Sequence, residues 1–337
     1  MIQTPETAAE PIAAEGRRPF SVSICVPTYN RREILLQTLE SLRSQDEPPG
    51  NFEVVIGDDG SSDGTVEMVR ALQMPYRLRI FSQKNAGPAA ATNLAARHAD
   101  NDILILLDDD QIAARGLISA HIRAHRKYGD VLVQGLFPLA AECRKRGASL
   151  LYERHLLHDL APVTLEHPFS PNIWSANVSV RWATWNRVGG LDETFREYGG
   201  EDTDFGIRVA ALGCPVVFVP DALSHHIHVV SYRAAQNQPY QEGRAIVRLA
   251  EKFDRPVHEF LGSATQPRVD RALGAGWRLS PRAMFACGKV LTLGLRAVDK
   301  VGMQSAQLFM ARAVHRLYKV GGVATETKAL TRRRAQA

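Results

Sequence analysis

The sequence predicts an α/β fold, in which helices flank a mostly parallel, Rossmann-like sheet and a helical extension follows at the C-terminus. Three observations support this prediction. Strand-like and helix-like periods alternate through the first third of the chain, polar clusters follow the strands, and basic helical periods replace this pattern near residue 240. With 337 residues, 45% hydrophobic and 23% charged, the chain has the size and composition of a soluble globular protein.

The N-terminal part alternates strands and helices in a regular order. The β-branched run SVSICVPTYN predicts a first strand, and Ile34, Leu35, Leu39 and Leu42 in the next segment have helical spacing. Two more strand–helix pairs and a fourth strand follow, in FEVVIGDDGSSDGT–TVEMVRALQ, LRIFSQKNAG–PAAATNLAARHA and DILILLDDD. A βαβαβαβ order predicts a parallel sheet, and ligands of such sheets bind beyond the carboxyl ends of the strands.

Polar clusters lie at each of these strand ends, so four loops are expected to converge on one rim of the sheet. The clusters are Thr28-Tyr29-Asn30, Asp58-Asp59, Lys84-Asn85 and Asp108-Asp109-Asp110. Three adjacent carboxylates repel one another at neutral pH, so the last cluster indicates either a solvated loop or a cation site. Carboxylate oxygens are the ligands that Mg²⁺ and Mn²⁺ prefer.

The later elements are less regular. AARGLISAHIRAHRKYG predicts a helix whose His121 and His125, one turn apart, are expected on a solvated face. DVLVQGLF predicts a strand, GGEDTDFGIRVAALG a turn and a helix that ends at Gly213, and PVVFVPDALSHHIHVV a strand with its exit loop.

We expect four regions along the chain: a disordered leader (1–20), a catalytic domain (21–240), a helical region (241–325) and a disordered basic tail (326–337). The leader lacks the positive start and apolar run of a signal peptide, and no segment has the roughly 18 apolar residues of a membrane span. The four cysteines form no CxxC pair and are expected to be packed thiols of a reducing compartment. These features predict a cytoplasmic protein.

The C-terminal region is strongly basic. From residue 241 onward, 18 Lys and Arg face 7 Asp and Glu, a balance of +11 in a chain whose total is +5. Basic residues interleaved with Leu, Phe, Met and Val at helical spacing indicate either a helical cap with a solvated face or an interfacial helix on a membrane. No RNA-binding motif with interleaved aromatic residues is present, so we expect no nucleic acid partner.

Five motifs together resemble the family-2 glycosyltransferases of the GT-A fold. They are VPTYNR at 26–31, DDGSSDGT at 58–65, KNAGPAAATN at 84–93, the Asp-x-Asp of 108–110 and GGEDTDFGIR at 199–208. The resemblance covers roughly residues 21–230 and implies inverting transfer from a nucleotide-diphosphate sugar, most simply a UDP-sugar, with Mn²⁺ or Mg²⁺. Lipid-linked acceptors are common in this family, which favours a glycan or lipid-linked acceptor and peripheral membrane contact through the basic helices, at the inner face of the cell membrane.

The resemblance also implies the metal and donor residues. Asp110 would hold the metal, with Asp108 beside it facing the ribose or sugar, and either His226 or His228, which alternate onto one strand face, would complete the shell. Asn93 is expected to hold its loop in place. The residues expected to contact the nucleotide and donor are Pro27, Thr28, Tyr29, Asn30, Arg31, Asp58, Asp59, Lys84, Asn85, Gly87, Asp108 and Asp109.

Glu201 and Asp202 are the candidate catalytic residues. Inversion needs a base that takes the proton of the acceptor hydroxyl, and the resemblance implies that Asp202 does so while Glu201 contacts the sugar or acceptor. Both side chains also suit the first turn of a helix, where acidic groups are electrostatically favoured. Trp174, Asn177 and Gly200 are the candidate contacts to the acceptor and sugar.

The predicted function is metal-dependent sugar transfer in the synthesis of cell-surface polysaccharide or glycolipid. One alternative is a non-catalytic, glycosyltransferase-like subunit that binds a glycan or a partner, but such a subunit is expected to lose the acidic motifs that are present here. A second alternative is a sugar-1-phosphate nucleotidyltransferase, which needs a glycine-rich phosphate loop after the first strand. VPTYNRRE contains no glycine.

Overall fold

The computed structural model describes residues 20–160, 173–261 and 267–336. The chain divides into two compact units. The first unit comprises Met1–Pro138, Asp159–Arg196 and Asp202–His226, and the second comprises Leu139–His158, Glu197–Glu201 and Ile227–Ala337. The predicted leader, residues 1–20, lies outside the described residues except for Phe20.

The bounds of the strands and helices follow the predicted alternation. The strands are β1 (Val22–Thr28), β2 (Phe52–Asp58), β3 (Arg77–Ser82), β4 (Ile103–Leu107), β5 (Gln111–Ala113), β6 (Leu132–Leu136), β7 (Asn177–Arg181) and β8 (Val216–His226). The helices are α1 (Arg32–Ser41), α2 (Thr65–Ala71), α3 (Pro88–Arg97), α4 (Leu117–Tyr128), α5 (Gly147–Leu160), α6 (Trp182–Val188), α7 (Glu201–Ala211), α8 (Ala234–Lys252), α9 (Pro267–Leu279), α10 (Pro281–Val301) and α11 (Gln304–Gln336).

Within the described residues of the first unit, eight strands form one sheet in the order β3-β2-β1-β4-β7-β6-β8-β5. The strands β1 to β4 are mutually parallel, as the βαβ order predicts, and β6 is parallel to β8. β7 runs antiparallel between β4 and β6, and β5 runs antiparallel to β8. The predicted α/β fold class is confirmed, with a mixed sheet in place of a mostly parallel one beyond β4.

The strands in the middle of the sheet are buried on both faces. Every residue of β2 and β4 is buried, which explains why β4 is a continuous apolar run. In β2 the buried carboxylate of Glu53 pairs with Arg79 at 2.7 Å. Gly57 allows the helix α3 to approach β2 closely. A side chain at this position would overlap the backbone of Ala91. This packing fixes the carboxyl ends of β1, β2 and β4 at one rim of the sheet.

The prediction that His121 and His125 are solvated is wrong. Both imidazoles are buried on the face of α4 that packs against the sheet, with 0% and 1% of the residue exposed. The Nε2–H of His121 donates to Asn177 Oδ1 at 2.9 Å, and the Ser179 hydroxyl lies 2.8 Å from His121 Nδ1 and 2.9 Å from His125 Nε2. The polar partners belong to β7, so helical spacing alone could not reveal them.

This cluster predicts a loss of stability in mild acid. Burial lowers the pKa of His121 from 6.5 to about 4 and that of His125 from 6.5 to about 3. Below pH 6.5 both histidines become protonated in the unfolded chain, whereas they stay neutral in the folded chain. The free energy of unfolding therefore decreases as the pH falls from about 6.5 towards 4. At pH 5 we expect a loss of about 2 kcal/mol for each histidine in the free energy of unfolding.

Urea unfolding at pH 7.5 and pH 5 measures this loss. The double variant His121→Gln/His125→Gln should show a smaller difference between the two pH values, while His225→Gln, which changes an exposed histidine, should behave as the unchanged protein. Histidine ring resonances in an NMR titration provide a second readout. A transition of both buried rings near pH 6.5 would contradict the prediction.

The second unit has its own helical core. Trp277, Leu295, Val314 and Tyr318 are buried together, and Trp277 Nε1 donates to the carbonyl oxygen of Leu317 at 3.0 Å. The helices α8 and α11 pack backbone to backbone where glycines replace side chains, since a Cβ at Gly322 would overlap the carbonyl of Tyr240.

The boundaries of the predicted regions differ from the structure at the C-terminal end. The helical unit takes up the chain from Ile227, not 241, and includes two earlier segments. The predicted disordered tail is helical up to Gln336, since α11 is held there by Glu326, which accepts from Arg244 at 3.0 Å, Arg248 at 3.2 Å and Arg333 at 2.8 Å. None of the described helices is both long enough and apolar enough to cross a bilayer.

Candidate active site

The acidic triplet lies at the carboxyl end of β4. β4 ends at Leu107 and β5 begins at Gln111, so Asp108–Asp110 form the short connection between two strands. Asp109 and Asp110 are almost fully buried and Asp108 is half-buried. The solvated-loop interpretation therefore does not fit these three carboxylates.

Two residues hold this triplet, one at the end of β1 and one in the loop after it. The hydroxyl of Thr28 donates to Asp109 Oδ2 at 2.8 Å. The guanidinium of Arg31 donates to Asp110 Oδ2 at 2.6 Å and lies 3.3 Å from Asp109 Oδ1. The structure therefore brings the predicted donor residues Thr28 and Arg31 together with the predicted metal residue Asp110.

His226, the last residue of β8, contacts the same carboxylate. In the antiparallel pairing of β5 with β8, Gln111 lies opposite His226, which sets the imidazole beside Asp110. His226 Nε2 lies 2.8 Å from Asp110 Oδ1 and is itself buried. Asp110 and His226 offer the oxygen and imidazole donors that a divalent ion accepts, close enough to share one ion. His228 follows two residues later, in the second unit.

Negative charge is concentrated at this rim. Burial, and after it the charges of Asp110, Asp109 and Asp202, raise the pKa of Asp108 well above its ordinary value. Burial likewise raises the pKa of Asp109 to about 7, although the charge of Arg31 opposes the shift. Buried carboxylates in this arrangement favour a bound cation, which would stabilise their ionised forms.

Asp202 belongs to the same acidic group. It lies in the first turn of α7, and its charge is felt by Asp108, which places the two carboxylates near each other. Burial raises the pKa of Asp202, while hydrogen bonds from the side chain and backbone of Ser175 lower it. No hydrogen-bond partner for the buried Asp202 Oδ1 is found among the described residues. Such an oxygen is costly unless a ligand or water uses it.

The neighbouring rim loops are braced by the other predicted donor residues. Asp59 accepts from the backbone N–H groups of Ala86 at 2.8 Å and Gly87 at 2.9 Å, which ties the loop after β2 to the start of α3. Asp58 accepts from the N–H of Ser61 at 3.1 Å. Asn30, with a φ of 52°, accepts from the N–H of Ser62 at 2.7 Å. These contacts hold the loops in shape.

Other predicted donor residues line the outside of the rim. Tyr29 is 47% exposed, Lys84 and Asn85 are exposed, and Pro27 is half-buried. Asn93 performs the structural role predicted for it, since its side chain donates to the Leu191 carbonyl and accepts from the Leu191 N–H, each at 2.9 Å.

The candidate acceptor contacts are dispersed. Trp174 is half-buried, and its backbone N–H donates to Gln134 Oε1 at 2.9 Å. Asn177 is fully buried, and its amide donates to the carbonyl oxygens of Ala222 at 2.9 Å and Leu136 at 3.3 Å, so we treat it as a structural link between strands. Gly200, with a φ of 104°, and Glu201 belong to the second unit.

Three supporting contacts were missed in the sequence. Thr38 donates to the backbone carbonyl of Asp109 at 2.6 Å, and Ser224 donates to Gln111 Oε1 at 2.8 Å. Ser175, between the two named residues Trp174 and Asn177, donates to Asp202. Of these three residues, only Ser175 could have been suspected from the sequence, because it is adjacent to the candidate residue Trp174.

Comparison with known families matches most of the first unit. The family model for glycosyl transferase family 2 matches residues 23–163, and the model for the N-terminal domain of galactosyltransferase matches residues 154–231. Residues 23–231 therefore match glycosyltransferase family models, and the predicted resemblance to family 2 is confirmed for this part of the chain. The two matches together cover the residues of the acidic rim.

Among solved structures, a mannosyltransferase from Pyrobaculum calidifontis, in complex with GDP-Man and Mn²⁺, superposes with a TM-score of 0.57. The alignment covers 87% of this chain and 86% of that chain at 22% identity. This likeness confirms the GT-A fold.

Curated relatives include validoxylamine A glucosyltransferase of Streptomyces hygroscopicus, 32% identical over 222 residues, or 58% of this chain and 49% of the relative. Chondroitin synthase of Pasteurella multocida is 26% identical over 240 residues, or 61% of this chain and 25% of the relative. The chain therefore spans about half or less of the length of these relatives.

Proposed function

We propose that the chain transfers a sugar from a nucleotide-diphosphate donor to an acceptor hydroxyl, with inversion at the anomeric carbon and with help from a divalent cation. The observation that carries this proposal is the gathering of Asp108, Asp110, His226 and Asp202, from three distant parts of the sequence, at one rim of the sheet. The match of residues 23–163 to the family 2 model supports the proposal, as does the complex of the structurally similar mannosyltransferase with GDP-Man and Mn²⁺.

The donor side is built from the loops after β1, β2 and β4. Asp110 and His226 would hold the cation, with Asp108 beside them and His228 as a further candidate ligand predicted from its spacing. When bound, the cation neutralises the charge that develops on the departing diphosphate. Arg31 supplies a fixed positive charge at the same place, because it already contacts Asp110.

The acceptor side is built from α7 and the segment before β7. Asp202 would take the proton of the acceptor hydroxyl as that oxygen attacks the anomeric carbon. Ser175 orients one carboxylate oxygen of Asp202, which leaves Oδ1 for the acceptor. We assign Trp174, Glu201 and Gly200 to acceptor and sugar contacts. The acceptor proposed is a glycan or a lipid-linked sugar in cell-surface polysaccharide or glycolipid synthesis, and the proposed location is the cytoplasm.

A donor screen tests the proposal. The purified chain is incubated with UDP-, GDP- and TDP-sugars in the presence of Mn²⁺, Mg²⁺ or a chelator, and released nucleoside diphosphate is measured. We expect release from one donor class, with loss of at least about 10²-fold when the chelator is present.

Binding of the nucleotide separates catalysis from mere recognition. Calorimetry with UDP and GDP should show binding that strengthens when Mn²⁺ is added. Metal-dependent binding without turnover of any donor, with a range of glycan acceptors, would favour the non-catalytic subunit. Release of pyrophosphate from a nucleoside triphosphate and a sugar-1-phosphate would instead favour the nucleotidyltransferase.

A further inference from the structure

The second unit presents an apolar stripe that no described part of this unit covers. On α10, Val290, Leu293 and Val301 are 66%, 60% and 70% exposed. These residues recur at helical spacing together with the small residues Ala286 and Ala297, so they share one face of the helix. The opposite face, formed by Gly288, Thr292 and Leu295, is buried in the helical core. Exposed contiguous apolar surface of this kind marks an interaction site.

Positive charge flanks this stripe. Arg282, Lys289, Arg296 and Lys300 are all exposed and fall on one side of it at the helical repeat. Arg282, Lys289 and Lys300 form no ion pair with any described residue. Asp299, the acidic residue of α10, points away from the stripe, because it accepts from the Tyr232 hydroxyl at 3.0 Å and from the Gly147 N–H at 2.9 Å. The face is therefore basic and apolar without any negative charge.

A cavity opens next to the first turns of the same helix. Three aromatic residues, Tyr240, Trp277 and Phe285, line it, and Phe285 is 41% exposed. Arg278, Lys328 and Arg332 also line it and have no acidic partner among the described residues. An aromatic lining with unpaired cations suits a ligand that has an anionic group attached to an apolar body.

We propose that the second unit docks on an anionic phospholipid surface through the exposed stripe of α10, with a phosphate-bearing headgroup in the cavity beside Phe285. Charge complementarity selects this occupant, because a second copy of the chain would place two basic faces against each other. The stripe enters the boundary between headgroups and acyl chains while the flanking Arg and Lys contact the phosphates. This inference goes beyond sugar transfer and does not depend on it.

Vesicle co-sedimentation of the full chain tests the proposal. Phosphatidylcholine vesicles are compared with vesicles that also contain phosphatidylglycerol, at low and high salt. We expect binding to the anionic vesicles that falls as salt increases, and at least about tenfold weaker binding to phosphatidylcholine alone. Free inorganic phosphate, added as a competitor at constant ionic strength, should not displace the chain, because it lacks the apolar body. Complete displacement by phosphate, or equal binding to both vesicle types, would overturn the proposal.

Two variants locate the surface. Val290→Ser/Leu293→Ser removes the apolar stripe and Arg278→Gln/Arg332→Gln removes two cavity cations, and each should weaken anionic binding roughly tenfold. The control Leu212→Ser makes one apolar-to-serine change and the control Arg70→Gln/Arg115→Gln removes two cations, each at exposed residues of the first unit, and both should bind as the unchanged chain.

Light scattering measures the oligomeric state and so tests the alternative that a second copy of the chain covers the stripe. If the stripe were an interface between copies, Val290→Ser/Leu293→Ser would dissociate an oligomer and vesicles would not bind, which would refute the lipid assignment. Equal vesicle binding by both variants and their controls would refute it as well. Circular dichroism and thermal unfolding confirm that each variant is folded before the comparison is made.

Discussion

Asp110→Asn should lower the rate of donor turnover by roughly 10²- to 10³-fold and abolish its dependence on Mn²⁺. The carboxylate is the point where three parts of the rim meet. Oδ1 lies 2.8 Å from His226 Nε2, and Oδ2 accepts from Arg31 at 2.6 Å. An amide cannot supply the charge that a hard divalent ion requires from its ligands. The measurement is nucleoside diphosphate release as a function of Mn²⁺ concentration, together with Mn²⁺ binding followed by electron paramagnetic resonance.

The matched control is Asp100→Asn, which makes the same change next to the amino end of β4. Asp100 is an exposed residue that pairs with Arg77 at 2.7 Å, and such surface pairs contribute little to stability. It should leave turnover unchanged. Thermal unfolding of both variants separates a lost metal site from a lost fold. If folded Asp110→Asn kept the unchanged Mn²⁺ dependence, the ion would have to lie elsewhere.

The sequence was sufficient for the part of the fold that depends on local periodicity. The alternation of buried strands and amphipathic helices predicted β1 to β4 and their parallel order, and with it the rim on which Asp108–Asp110 lie. It did not predict that β7 inserts antiparallel between β4 and β6, because strand direction depends on which partners a segment finds, and period-2 alternation is the same in either direction.

The errors at the level of side chains have the same origin. His121 and His125 are polar residues on a helix, and only the distant Ser179 and Asn177 make their burial acceptable. From the sequence, Asp59 was expected to accept a hydrogen bond from a ligand. In the structure, its oxygens accept hydrogen bonds from the backbone N–H groups of Ala86 and Gly87. Residue types indicate which chemistry is available, whereas partners far along the chain decide which groups remain available for it.

Asp202→Asn should abolish transfer while it leaves donor binding intact. Asp202 contributes to the charge around Asp108, yet its own hydrogen bonds come from Ser175 and not from the groups that surround Asp110. A residue in this position can act on the acceptor without holding the cation. An asparagine keeps the shape but accepts no proton, so we expect the turnover number to fall by about 10²- to 10⁴-fold. The dissociation constant for UDP or GDP with Mn²⁺ should change little.

Glu201→Gln is the informative neighbour of this variant. If Glu201 contacts the sugar or acceptor, its amide variant should raise the Michaelis constant for the acceptor more than it lowers the turnover number. Asp221→Asn, at an exposed position of β8, is the control for an Asp→Asn change elsewhere on the first unit. Steady-state kinetics of the three variants, with the acceptor varied at saturating donor, supplies both constants.

The comparison decides between two roles for the Glu-Asp pair. Adjacent acidic residues at the start of a helix are stabilising by themselves, since they interact favourably with the first-turn N–H groups. A purely structural pair would lower thermal stability in both variants and leave the ratio of the two kinetic constants unchanged. Removal of a catalytic base has a different effect: the turnover number falls while the donor and acceptor still bind. A fall in turnover number for Glu201→Gln that exceeded the fall for Asp202→Asn would reverse the assignment of the base.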